Sequence, residues 1–258
     1  MNDELRQTLL VVVLLSLGSS AFSQTNWVDQ SLPCSCSPIL IDTTGHGFVL
    51  TDPAKGEYVS FDLEGNGALE KLSWPKVGSG NGWLVLDRDG DGVIKDGTEL
   101  FGNFSPHADG ATPDHPDVKS DSPNGFLALQ WYDHPPQGGD GNLIIDKKDQ
   151  IWPKLRVWID EHCYKDPDHQ CQSRPQELHK LESLGIRSIS AFYTGKIHLD
   201  AVGNTFKYLG VLNPDAEDTP DQGSGNHHHT CCELHQKSST DKREVWDVWL
   251  KTLDTVNK

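Results

Sequence analysis

Basic residues are scarce in this chain: 22 Lys and Arg stand against 38 Asp and Glu. A surface of that sign repels phosphates, so nucleic acid is excluded as a partner. Long apolar runs are missing beyond the N-terminus, where nothing reaches the roughly 18 residues that a membrane-spanning helix needs. Hydrophobic residues make up 35% of the chain, below the ordinary share for a globular domain, so its core needs help from ligands or cross-links. Catalytic signatures are absent too, with no G-x-S-x-G elbow, no H-E-x-x-H and no phosphate-binding glycine loop. An enzyme of ordinary catalytic type is not expected. There are no hydrophobic heptads and no separate linker between domains.

The N-terminus carries Arg6, an apolar run from Leu9 to Leu17 and the small-residue stretch ending at Ser23. That pattern reads as a secretory signal peptide over residues 1–23, with an uncleaved anchor as the alternative. The mature protein is then expected to be secreted, extracellular or periplasmic. Residues 24–37 form an N-terminal segment with Cys34 and Cys36, and 38–258 form a single domain. Six cysteines in an exported chain read first as disulfides. Their clustering predicts a local bridge between Cys163 and Cys171, with Cys34, Cys36, Cys231 and Cys232 pairing across the termini.

Short β-branched or aromatic stretches between glycine turns predict strands at 39–42, 48–51, 58–62, 69–74 and 83–86. A helix is expected from Asn124 onward, with Ser122 or Asp121 near its cap, and a helical turn at 147–151 ended by Pro153. Leu155 to Ile159 alternates as a half-buried strand does. Leu178, Leu181 and Leu184 stand at helical spacing before Gly185, so a second helix is expected there. Strands resume at 186–193, 196–200 and 205–211, residues 213–241 read as a mobile surface loop, and 245–253 is ambiguous between helix and strand. The fold class expected is α+β, with short antiparallel strands and a few short helices organised around EF-hand-like calcium loops.

The chemistry is carried by Asp/Gly-rich loops. The sharpest places Asp87, Asp89 and Asp91 at alternate positions, followed by Gly92, Val93, Ile94, Asp96 and Glu99. Calcium takes about six to eight oxygens, and three carboxylates on a tight turn supply three of them. The Val93 carbonyl would add a fourth, and Glu99 is the closing carboxylate, one place later than the twelfth position of the usual loop, with Asp96 as substitute. A second loop repeats the spacing with Asp62, Glu64, Asn66 and the Ala68 carbonyl, and only Glu70 is available to close it. A third joins Asp140, Asn142, the Ile144 carbonyl, Asp146 and Asp149, with Asp133 upstream across a Pro/Gly insertion and Leu143 in the slot that glycine usually holds. A fourth runs from Asp160 and His162 to Glu177, where the Cys163–Cys171 bridge has replaced or buttressed an ion. The weakest candidate begins at Asp42. Together these predict two to four bound Ca2+. The cluster His227, His228, His229, Cys231, Cys232 and His235 would suit zinc or copper, although oxidised cysteines cannot ligate and a histidine run in a Ser/Gly loop is commonly solvated.

On these residues the chain resembles bacterial secreted calcium-binding proteins related to the self-processing module of iron-regulated RTX proteins. The matching stretches include Phe61-Asp62, Trp83 to Asp87, the run Gly97-Thr98-Glu99-Leu100-Phe101-Gly102, Leu155 to Asp160, Glu177-Leu178 and Gly203 to Tyr208, and they cover most of 37–211. The resemblance implies cooperative calcium binding coupled to folding. Some relatives cleave an Asp-Pro bond at the start of the module and link the new carboxyl end to a lysine. Here the corresponding place reads Ser37-Pro38, while Asp52-Pro53 and Asp166-Pro167 lie inside the module. The leading expectation is therefore an extracellular calcium-binding structural module that folds on calcium. The alternatives are a calcium-dependent autoproteolytic module, and adhesion or glycan binding through Trp27, Trp131 or Trp249.

Overall fold

A computed structural model describes residues 37–112, 114–117, 119–165, 169–214 and 243–253. The expected signal peptide, the segment 24–36, the loop 213–241 beyond Pro214 and the His/Cys cluster at 227–235 lie outside the described residues. In chain order the strands are β1 (Ile39–Asp42), β2 (Val59–Phe61), β3 (Glu70–Leu72) and β4 (Asn81–Val85). The helix α1 (Gly125–Asp133) follows, then β5 (Ile144–Asp146), β6 (Arg156–Trp158), β7 (Leu178–Lys180) and β8 (Ser188–Ser190). Last come β9 (Thr194–Leu199), β10 (Thr205–Leu212) and β11 (Arg243–Trp249).

Nine strands make one sheet in the order β5-β8-β10-β11-β1-β4-β6-β7, with β9 also on β10, and β2 and β3 form a separate hairpin. Every pairing between these strands is antiparallel. The sheet has an apolar layer on each face. Ile39, Ile41, Leu84, Val157 and Val245 point to one core with Phe126, Ala128 and Leu129 of α1. Their neighbours Leu40, Trp83, Val85, Trp158, Trp246 and Val248 point to the other, with Phe61 and Leu72 of the hairpin. Burial on both faces explains why these strands are continuous apolar runs rather than alternating ones.

The architecture corrects the expected fold class. It is mostly antiparallel β-sheet forming a half-barrel with one α-helix, not an α+β arrangement of helix-flanked loops. The reason lies in what the acidic loops connect. Asp62 to Glu70 is the turn of the β2–β3 hairpin, where Phe61 pairs with Glu70. The loop after β4 closes on itself through Leu86 N–H to the Glu99 carbonyl at 2.9 Å and a bridge between Val85 and Leu100. Residues 159–177 join β6 to β7, whose register puts Trp158 opposite Leu178. Strands, not helices, therefore enter and leave these loops.

Local expectations are corrected in the same way. Leu178 belongs to β7, and Leu181 and Leu184 belong to a 3-10 turn (Leu181–Leu184) ended by Gly185 at φ 70°. Pairing with β6 outcompetes a helical spacing of only three leucines. The stretch 147–151 is turn, as expected, with Asp149 N–H on the Asp146 carbonyl at 3.0 Å and Trp152 N–H on the Asp149 carbonyl at 3.1 Å, and a 3-10 turn at Trp152–Lys154 carries it past Pro153. The strand expected at 48–51 shrinks to a single bridge between Leu50 and Pro75. Asn124, not Ser122 or Asp121, caps α1 by accepting from Phe126 and Leu127 N–H at 3.0 and 3.1 Å. The ambiguous stretch at 245–253 is largely strand, and that strand stands in the middle of the sheet.

Candidate metal-binding loops

Asp87 follows β4 by two residues, so its carboxylate sits at the mouth of the turn. It accepts from Gly90 N–H at 2.8 Å and Gly92 N–H at 3.0 Å, an arrangement that wraps the loop around it. Both glycines have positive φ, 77° and 85°, which the tight turn demands. Asp91 accepts from Val93 N–H at 2.9 Å, as Asn66 does from Ala68 at 2.8 Å and Asn142 from Ile144 at 2.7 Å. One local bond thus recurs in three loops. Glu99 is buried at 3% exposure and accepts from Arg88 N–H at 3.2 Å and Lys95 N–H at 3.0 Å. Burial raises its pKa, and Asp89 and Asp96 add to the effect.

Ligand atoms of Asp87, Asp89 and Glu99 converge within 4.8 Å of one another. Asp91 and Asp89 are both held by Lys95, whose Nζ lies 2.6 Å from Asp91 Oδ2 and 2.5 Å from Asp89 Oδ2. Those two bonds raise the lysine pKa and lower that of Asp89. Asp96 serves differently from a ligand: it caps the 3-10 turn Gly97–Glu99 by accepting from Thr98 N–H at 2.9 Å, which aims Glu99 inward.

In the second loop Asp62 accepts from Asn66 and Gly67 N–H at 3.0 and 2.8 Å, and Glu64 accepts from the Asn66 side chain at 2.8 Å. Glu70 accepts from Leu63 N–H at 2.9 Å, and its pKa is raised by burial first, with Glu64 and Asp62 contributing. This loop is stitched to the first by Gly97 N–H to the Asp62 carbonyl at 2.8 Å. A Cβ at Gly97 would stand 1.7 Å from the Leu63 carbonyl oxygen, so the contact admits only glycine.

The third loop is assembled across distance. Asp133 ends α1, and a 3-10 turn (Pro135–Gln137) with Gly138 at φ 87° turns the chain back, so that Gly141 N–H meets the Asp133 carbonyl at 2.8 Å. Leu143 occupies the glycine slot and adopts the left-handed φ of 61° itself. Ligand atoms of Asp133, Asp140 and Asp149 fall within 4.8 Å of one another. Asp133 and Asp149 are each 2% exposed. One oxygen of each is satisfied, by Leu143 and Asp146 N–H at 2.7 Å, and the other oxygen of each has no hydrogen-bond partner. Burial pushes the Asp149 pKa up, and Asp133, Asp140 and Asp146 add to it. Asp146 accepts from Lys148 N–H at 2.7 Å, and Lys148 Nζ stands 3.6 Å from Asp140.

At the fourth loop, Asp160 and Glu177 are 3% and 2% exposed, and half-buried His162 lies between them. The bridge between Cys163 and Cys171 forms as expected. Asp42 wraps a turn with bonds to Thr44, Gly45 and Gly47 N–H, and offers a single carboxylate.

The donor set at the first and third loops suits a hard divalent cation: carboxylate oxygens, two of them buried and unpaired, with no thiolate or imidazole among them. Two charged groups escaped the sequence reading. Lys95 could have been found from its four-residue spacing to Asp91. Asp247 is wholly buried, and its Oδ2 accepts from Gly125 N–H at the start of α1 at 2.8 Å. An aspartate inside an apolar run was its one signal.

The fold is an antiparallel β-domain whose connecting loops gather carboxylates into clusters at Asp87, Asp89 and Glu99 and at Asp133, Asp140 and Asp149. The chain belongs to the SPM domain family, which matches residues 39–224. It is 32% identical over 174 residues to the iron-regulated protein FrpA of Neisseria meningitidis serogroup C. That stretch covers 67% of this chain and 14% of the relative's length. Relation to FrpA-like proteins therefore holds at the level of the family. Among the described residues no helix is long and apolar enough to cross a membrane.

Proposed function

We propose that this chain is an extracellular calcium-binding module, related to RTX proteins, that depends on calcium for its fold and is not an enzyme. The observation that carries the reading is the pair of buried, unpaired carboxylate oxygens on Asp133 and Asp149. Burying an ionised carboxylate without a partner costs several kcal/mol in general, and a divalent cation removes that cost. Asp133, Asp140 and Asp149 would hold one ion, and Asp87, Asp89 and Glu99 another, with Asp91 joining once Lys95 moves aside. The Asp62 loop is the third candidate. The disulfide between Cys163 and Cys171 supports a site of action outside the reducing cytoplasm.

Ions held at a hundred times their Kd would contribute about 2.7 kcal/mol each, so two sites supply roughly 5 kcal/mol, as much as the whole stability of a marginal domain. Self-cleavage at Asp52-Pro53 is disfavoured because the Asp52 carboxylate already accepts from Ala54 N–H at 3.1 Å and pairs with Lys55 and Lys251. A glycan platform is disfavoured as well, since Trp131 stacks on His107 at 3.5 Å and Lys207 covers Trp249 at 3.8 Å. Circular dichroism with chelator and with restored calcium, followed by a calorimetric titration, tests the proposal. The expected outcome is reversible loss of β-structure and a stoichiometry of at least two. An unchanged spectrum without heat of binding would refute it.

A further inference from the structure

The fourth loop has a different donor chemistry. β6 and β7 pair as a hairpin, and Ile159 N–H meets the Glu177 carbonyl at 3.0 Å, which brings Asp160 and Glu177 together at its mouth. His162 Nδ1 faces both carboxylates, 2.7 Å from Glu177 Oε1 and 3.3 Å from Asp160 Oδ1. The carboxylates are fixed from behind. Asp160 Oδ1 accepts from His162 and Cys163 N–H at 2.9 and 3.0 Å. Glu177 accepts from Glu161 and Arg174 N–H at 3.2 and 2.9 Å, and from the Trp158 indole at 3.4 Å. The other Asp160 oxygen, in a residue 3% exposed, has no hydrogen-bond partner. The Cys163 sulfur lies 3.8 Å from His162 Nε2 and within 4.8 Å of an Asp160 carboxylate oxygen.

We infer that Asp160, His162 and Glu177 form a site for a borderline divalent ion of the zinc class, distinct from the calcium loops. Calcium, a hard ion, wants about six to eight oxygens, whereas this position replaces an oxygen with an imidazole nitrogen and gathers only two carboxylates. Zinc takes nitrogen and oxygen donors at about 2.0–2.2 Å in a tetrahedron, whose neighbouring donors stand about 3.3 Å apart. The separations of 2.7 and 3.3 Å around Nδ1 need only a small opening to admit it. Cys163 is spent in the disulfide with Cys171 and does not ligate, so three protein donors leave one position for water. The bridge holds the loop that carries the histidine. This site does not rest on calcium being bound elsewhere.

The test is a titration of the full chain, in millimolar calcium, with Co2+ followed by Zn2+, read by visible absorption and calorimetry. A variant in which His227, His228 and His229 are alanine removes the competing histidine run. The expected result, in both proteins, is one Co2+ equivalent with tetrahedral absorption intensity, displaced by one Zn2+. His162→Gln and Asp160→Asn should weaken that equivalent at least tenfold while leaving the calcium stoichiometry unchanged. Retention of the equivalent in His162→Gln overturns the site, and so does its loss with the alanine variant or a calcium equivalent lost with Asp160→Asn. Absence of any zinc-class binding at the loop means that His162 is only an internal counter-ion, and also overturns it. Should the loop variants fail to fold, the spectrum of the triple-alanine protein decides: weak octahedral absorption refutes the assignment. The separate calcium count tells failure here from failure of the calcium reading.

Discussion

At the scale of residues, two charges shape how the molecule responds to its medium. Asp247 is wholly buried, and that burial pushes its pKa up to about 7. Its folded value exceeds the unfolded one, so the folded state holds the proton more tightly. This group therefore contributes stability at low pH that is lost as pH rises from about 4 to about 7. Asp247→Asn keeps an acceptor for Gly125 N–H and removes the charge. Its stability advantage over the native protein should grow through that window and level off above it, reaching on the order of 3–4 kcal/mol. Urea unfolding at several pH values measures it, and a pH-independent difference would contradict the assignment. Lys95 is only partly exposed. Its ammonium occupies the carboxylates of Asp89 and Asp91, so an incoming divalent ion must displace it. Lys95→Met is expected to tighten calcium binding severalfold with little effect on the ion-free fold. A titration showing equal or weaker affinity would argue against the displacement.

At the scale of elements, the acidic loops are coupled rather than independent. The first and second share the contact at Gly97, and the first and fourth exchange bonds between Ile94 and Ser173 at 2.8 and 2.9 Å. The third stands apart, at the end of α1, and stores a local cost. Leu143 adopts φ 61° while its side chain is 41% exposed, so leucine gains little there and pays the steric penalty of the left-handed region. Leu143→Asn retains the N–H that Asp133 accepts and tolerates that conformation. It should stabilise the protein by about 0.5–1 kcal/mol, visible as a higher urea midpoint at unchanged slope. A lower midpoint would mean that the leucine side chain matters more than its backbone.

At the scale of the whole molecule, β11 decides the order of the sheet. It lies between β10 and β1, with Trp246 opposite both Leu209 and Leu40. A chain ending at residue 242 loses that shared neighbour and the buried Val245, Trp246 and Val248 with it. Such a chain is expected to show no cooperative unfolding transition even in calcium, followed by tryptophan fluorescence. A native-like transition would show that the remaining strands close without it.

What could be read along the chain was whatever depends on near neighbours. The acidic turns, the strands around Ile39, Trp83 and Val157, the helix after Asn124 and the bridge from Cys163 to Cys171 all announce themselves within a dozen residues, because turn chemistry and side-chain periodicity are short-range. The tertiary structure alone decided which distant groups meet. It brought Asp133 to Asp149 across the Pro/Gly insertion, made strands rather than helices flank the second and fourth loops, set β11 in the centre and enclosed Asp247. Those outcomes follow from strand pairing and from the exclusion of water by two apolar layers, which sum contacts over the whole sheet and leave little trace in any single stretch of residues.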